Sequence, residues 1–207
     1  MIKNLFITLF KGFRKLGYII EKPIFNPYAK MILFLNGVDY KGIKVLGFIK
    51  VNVTRKGSVI IGDNLRINSG PNYNIIGRQQ KNIFWVDGCL KIGENVGMSS
   101  TAIICNYEIE ISNNVTIGRN TVIYDTDFHS LDPKIRIDKS VDKLHAKKAK
   151  VIIKDNAFIG AHTTILKGVT IGKNSILGAC SVVSKSVPDN EIWAGNPARL
   201  IKRIIDK

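Results

Sequence analysis

Residues 151–187, VIIKDNAFIGAHTTILKGVTIGKNSILGACSVVSKSV, place an aliphatic side chain at every sixth position. Ile153, Ile159, Ile165, Ile171, Leu177 and Val183 keep this spacing without a break. Six steps of about 100° leave helical residues far out of phase, so an α-helix cannot hold them on one face. A chain that turns a corner every six residues can, because each aliphatic then points into a three-sided coil and stacks on its copies in neighbouring coils. The spacing continues through Ile111, Ile117 and Ile123, through Ile92, Met98 and Ile104, and through Ile61 and Ile67. The expected fold is all-β: a parallel β-helix of hexapeptide repeats, with roughly 18 residues per coil and about 4.8 Å between coils.

The residues between the aliphatics have the chemistry of corners. Gly follows the aliphatic at Gly62, Gly93, Gly118, Gly160, Gly172 and Gly178, and Asn stands three after it at Asn64, Asn95, Asn114, Asn120, Asn156 and Asn174. Both residue types tolerate the positive φ of a tight turn. Charged residues such as Asp63, Glu94, Arg119 and Lys173 fit solvent-facing corners. Two stretches break the phase: 75–88, with Arg78, Gln79, Gln80 and Lys81, and 125–150, which ends in Lys143, Lys147, Lys148 and Lys150. Both read as loops thrown out of a rigid scaffold, where function concentrates. Three segments are expected: 1–50, helical or extended; 51–190, the β-helix with its inserted loop at 125–150; and 191–207, a C-terminal extension with a short helix.

The 31 Lys and Arg outnumber the 16 Asp and Glu, giving a net charge of +15 that favours anionic partners. No nucleic-acid-binding signature accompanies it, so nucleic acid is not expected. Cys89, Cys105 and Cys180 form no CxxC pair, which indicates neither a disulfide framework nor a cysteine metal site and fits a reducing cytosol. At the start of the chain, Leu5, Leu9, Phe13, Leu16 and Ile20 form one helical stripe flanked by Lys3, Lys11, Arg14 and Lys15. The charges interrupt any run long enough to span a bilayer. Residues 1–22 are either an interfacial membrane helix at the inner membrane face or a helix packed on the β-domain or another subunit.

The stretch from FIGAHTTILKG to AGNPARLIKRI, roughly residues 158–205, resembles the end of the hexapeptide-repeat acetyltransferases, including the xenobiotic, galactoside, maltose and serine enzymes. IYDTDFHSLDPKIR, residues 123–136, is most similar to bacterial O-acetyltransferases of surface-glycan gene clusters. The resemblance spans about residues 57–204. It implies a left-handed β-helix, acetyl-CoA as co-substrate, no metal, and a homotrimer with active sites between adjacent β-helices. It also implies His129 as the catalytic histidine. Phe158, Ala161, Ala179, Ser184 and Lys185 would line the pantetheine groove, with Arg199 and Lys202 near the nucleotide phosphates. The chain reads DFHSLDP where the galactoside and serine enzymes have His followed directly by Pro, a departure that bears on the acceptor.

Acetyl transfer from a thioester to a hydroxyl requires proton removal from a poor nucleophile, and histidine, with an ordinary pKa near 6.5, suits that task. Asp125, Asp127 and Asp132 surround His129 in sequence, and Asp127 is expected to orient the imidazole. The oxyanion would be met by a backbone amide of a neighbouring coil. Three other readings stand beside O-acetylation of a sugar or glycan. N-acetylation of an amino sugar or nucleotide-sugar could use the same base. A zinc site would need three converging ligands, but His129, His145 and His162 show no closely spaced pair. A purely structural β-helix leaves the His129 loop without a role.

Overall fold

The computed structural model describes residues 2–73, 76 and 80–204, and of residues 18 and 20–22 the backbone alone. The chain forms a left-handed parallel β-helix whose strands fall in turn on three sheets. One sheet stacks 39–40, 58–61, 89–92, 108–111, 151–153 and 170–171; the second runs from 43–46 to 176–177; the third runs from 50–53 to 182–183. Every pairing between coils is parallel, so the backbone groups of one coil are satisfied by the next. Ile153, Ile159, Ile165, Ile171, Leu177 and Val183 are fully buried, stacking as Ile153 on Ile171, Ile159 on Leu177 and Ile165 on Val183, one pair per sheet.

The corners follow from the same repeat. Asn64, Asn95, Asn114, Asn120, Asn156 and Asn174 all adopt φ between 55° and 61°, the left-handed turn that Asn accepts at low cost. Their side-chain amides bond from coil to coil, Asn64 to Asn95 at 2.8 Å and Asn156 to Asn174 at 2.9 Å.

Ile104 departs from the sixfold phase. Met98 pairs with Ile117 and Ile103 with Ile123, so this side is one residue shorter than the one below it. Strand alternation then buries Ile103 and Cys105 and turns Ile104 outward. Part of 75–88 is likewise strand: Ile83–Val86 directs Phe84 and Val86 into the core. Residues 75 and 77–79 of that expected loop lie outside the described residues.

Both ends of the stack are covered. A helix, Ile2–Leu35, sets Phe25, Ala29 and Leu33 against the first coil, which begins at Asp39 inside the segment 1–50. Asn26 and Asn36 accept the N–H groups of Val45 and Val53 at 2.7 and 3.0 Å. At the far end no helix forms over residues 191–204. Glu191–Gly195 instead pairs in parallel with Ile176–Leu177, and Ala198–Arg203 folds back antiparallel on it. Gly195, at φ 101°, and Pro197 turn the chain, and Pro197 lacks the N–H that a helix interior requires.

Coil spacing leaves no room above the corner glycines. A Cβ on Gly160 would lie 2.5 Å from the Ala179 nitrogen, whereas one on Gly97 would meet nothing within 4 Å. Gly160→Ala is expected to destabilise the fold by about 1–3 kcal/mol and Gly97→Ala to leave it unchanged within about 0.5 kcal/mol. Denaturant unfolding of the two variants checks this, and equal stabilities would contradict the packing described.

Candidate functional site

The insertion leaves the stack after strand Val122–Tyr124 and returns at Val151–Ile153. Its neck is fastened from both sides. The Asp125 carboxylate accepts the N–H groups of Asn106 and Tyr107 on the neighbouring coil, both at 2.8 Å. Backbone bonds Asp127 N–H to Lys147 O and Ala149 N–H to Asp125 O, each 2.9 Å, close the two arms on each other. Within the loop, Asp132 and Asp138 cap two short helices, Pro133–Arg136 and Lys139–Asp142.

His129 sits just past this neck. Phe128 before it holds φ at 65°, costly for a non-glycine residue, supported by its N–H bond to Thr126 Oγ1 at 3.1 Å and its ring packing on Tyr124. His129 Nδ1 lies 2.6 Å from Asp142 Oδ2, while Asp142 Oδ1 accepts the Ser130 N–H at 2.7 Å. The hydrogen bond from His129, and then that from Ser130, hold the Asp142 carboxyl below the usual carboxylate range. An ionised carboxylate only accepts, so Nδ1 carries the hydrogen, and in the neutral imidazole Nε2 then keeps its lone pair. That is the tautomer of a general base. Asp142 is buried, but the His129 side chain is 61% exposed and faces a cleft.

The carboxylate on His129 is therefore Asp142 and not Asp127. The left-handed backbone at Phe128 turns the chain between Asp127 and His129, and Asp127 instead meets Lys167 of another coil at 2.7 Å. Asp142 lies 13 residues from His129, and only the folded insertion brings the two together.

The cleft has a volume of about 490 Å³. Its coil wall carries Trp85, Asp87, Ile104 and Asn106 on the third sheet, and its insertion wall carries Lys143, Leu144, Ala146 and Lys148. Sequence reading did not single out Trp85, because it looks like one more apolar residue of a strand. Its position opposite buried neighbours in an alternating strand is the signal that could have found it. Burial pushes the Cys105 thiol far above its ordinary range, which leaves it inert as a nucleophile. His162 stands at a coil corner with φ 60°.

Of the residues expected around the co-substrate, Phe158, Arg199 and Lys202 lie on the second sheet, another side of the prism. Phe158, Ile176, Ile192 and Lys202 are successive partners across the second sheet, so Phe158 and Lys202 share one outward row. Ala161 and Ala179 occupy the same corner in successive coils, where the Cys180 N–H bonds to the Ala161 carbonyl. Arg199 pairs with Ala194 on the closing hairpin. Ser184 and Lys185 lie past the next strand, Val182–Val183. Within one chain His129 and this row face different sides.

The repeat run finds its counterpart in a known family. The profile of bacterial transferase hexapeptide proteins (six repeats) matches residues 150–185. Over that run the chain resembles the hexapeptide-repeat transferases. Among relatives, the galactoside O-acetyltransferase of Lactococcus lactis IL1403 is 37% identical over 123 residues, 55% of this chain and 56% of that protein. The Escherichia coli K12 protein with the provisional name lipopolysaccharide biosynthesis O-acetyl transferase WbbJ is 28% identical over 83% of this chain and 84% of its own. Among solved structures, AntD, an N-acyltransferase from Bacillus cereus in complex with dTDP and 3-hydroxybutyryl-CoA, aligns with a TM-score of 0.63 at 27% identity, covering 85% of this chain and 88% of AntD. With several curated relatives the match spans only 56–57% of their length.

The Asp142 clamp implies a pH dependence. A carboxyl whose pKa falls on folding stabilises the fold fully above its ordinary value of about 3.9, and the contribution is lost as pH falls through the lowered value. The wild-type chain should melt above Asp142→Asn at about pH 6, with the gap narrowing once pH falls well below the ordinary value of about 3.9. Thermal unfolding across that range checks this, and a gap of constant size would remove Asp142 from the clamp.

Proposed function

We propose that this chain is an acetyl-CoA-dependent O-acetyltransferase acting on a hydroxyl of a sugar or glycan, with His129 as general base and Asp142 as its positioning residue. The observation that carries this reading is the His129–Asp142 pair, set at the mouth of a cleft with Nδ1 occupied and Nε2 free to act. Nε2 takes the acceptor proton as the hydroxyl oxygen attacks the thioester carbonyl. The tetrahedral adduct collapses, the C–S bond breaks, and the imidazolium returns its proton to the CoA thiolate. The buried Asp142 carboxylate stabilises that imidazolium without taking the proton. The acetyltransferase names of the relatives and the CoA thioester bound to AntD support the donor assignment.

Phe158, Ala161, Ala179, Ser184 and Lys185 are assigned to the pantetheine groove and Arg199 and Lys202 to the CoA phosphates. Phe158 and Lys202 face a different side of the prism from His129, which favours a homotrimer whose sites combine the base of one copy with the donor groove of the next. N-acylation of an amino sugar or nucleotide-sugar is the second reading, favoured by the likeness to AntD; acceptor profiling separates the two. His129→Ala should lower turnover by about a hundredfold or more and leave acetyl-CoA affinity nearly unchanged. Thiol release and calorimetry measure the two quantities, and unchanged turnover would sink the mechanism.

The enzyme is further assigned to the cytoplasmic side of a membrane, held peripherally by residues 1–22. Leu5, Phe6, Leu9, Phe10, Phe13 and Leu16 are all exposed on the free half of the N-terminal helix, and Lys3, Lys11, Arg14 and Lys15 are exposed with them. No helix among the described residues is long and apolar enough to cross a membrane. An interfacial helix with this composition gains about 1 kcal/mol per basic residue at an anionic surface. Full-length protein should sediment with anionic vesicles at low salt and a chain lacking residues 1–22 should not. If both stay in the supernatant, the helix serves packing or subunit contacts instead.

A further inference from the structure

We infer that the cleft beside His129 selects an acceptor sugar that carries a negatively charged group, held by Lys143 and Lys148, with the sugar ring laid on Trp85. This deepens the reading of the cleft as the acceptor site and rests on it.

The insertion disposes of its charges unevenly. Its five aspartates are all engaged within the fold: Asp125 on two backbone amides, Asp127 on Lys167, Asp132 and Asp138 as helix caps, and Asp142 on His129 and Ser130. Its cations are not all neutralised in return. Lys150 bridges Glu108 and Glu110 at 3.1 and 2.8 Å, but Lys143 and Lys148 meet no carboxylate among the described residues. Lys148 Nζ meets the Asn106 carbonyl, at 3.4 Å. Both lysines line the cleft.

The opposite wall adds little negative charge and much apolar surface. Asp87 is the one acidic residue lining the cleft among the described residues, and its Oδ1 accepts the Thr54 hydroxyl. Trp85 is 42% exposed, with the Lys50 ammonium 5.4 Å from its ring centroid. An indole face suits the C–H face of a pyranose, and two ammonium groups beside it are point charges for a phosphoryl or carboxylate oxygen. A volume of about 490 Å³ holds one sugar and its substituent. Because one insertion carries Asp142, Lys143 and Lys148, the segment that orients the base also meets the acceptor's charge.

Binding can be read without turnover, from the change in tryptophan fluorescence that Trp85→Phe abolishes. Glucose, glucose 1-phosphate and glucuronate are titrated into the full chain at low and high salt. At least one anionic sugar should bind about tenfold or more tightly than glucose at low salt, and that advantage should shrink with salt and disappear in Lys143→Ala/Lys148→Ala. A gain for glucose 1-phosphate alone assigns a phosphoryl group; a gain for glucuronate alone assigns a carboxylate. Equal affinity for the three sugars, no binding of either anion, or an advantage that survives both substitutions overturns the inference. His129→Ala should keep the anion preference, so failure of the mechanism and failure of this recognition are read separately.

Discussion

Parallel hydrogen bonding between coils is the constraint from which the rest follows. No side of the prism closes its own backbone bonds, since each strand of a few residues finds its donors and acceptors only in the coils on either side. Stability is then nearly a sum over stacked units, and each unit must repeat the same corner geometry and the same inward side chain. Asparagine at positive φ and glycine beneath the next coil's backbone are the local forms of that requirement. A scaffold built this way is stiff, and it can carry a long excursion such as 125–150 without distortion, provided the neck is fastened.

The neck is where scaffold and site meet. Asp125 takes two amides from the neighbouring coil, and three residues later a strained Phe128 sets the direction of His129. Four of the five aspartates serve backbone amides, one of them, Asp142, holding the imidazole as well, while Asp127 pairs with Lys167. The loop is thus ordered by carboxylate-to-amide bonds more than by apolar burial, which suits a segment that must leave one face of a histidine open to solvent.

Much of this was legible in the chain. The run from Ile153 to Val183 predicted the coils, and the asparagines predicted their corners, because both depend only on local geometry repeated many times. His129 was legible through its setting in the interrupting segment. Asp127 was the natural partner by proximity, yet Asp142 holds the imidazole: a contact across 13 residues of irregular chain depends on two short helices that no periodicity announces. Ile104 was misplaced because one corner lacks a residue, and the closing hairpin was read as helix because its pairing partner is the last coil, which lies outside any local pattern.

The covered ends have a consequence for how such a molecule can vary. A coil is bounded above and below by equivalent surfaces, so a whole coil can be gained or lost in the interior with every remaining pairing preserved. A change of any other length has to be absorbed at a corner, as by the short side before Ile103 or the insertion at 125–150, or it puts aliphatic side chains into solvent. The terminal helix and the closing hairpin have no such freedom, because each is matched to a single exposed edge and hides it from strands of other chains. The architecture therefore changes length in quanta of about 18 residues, between two fixed stops that keep a potentially endless stack from growing into a fibre.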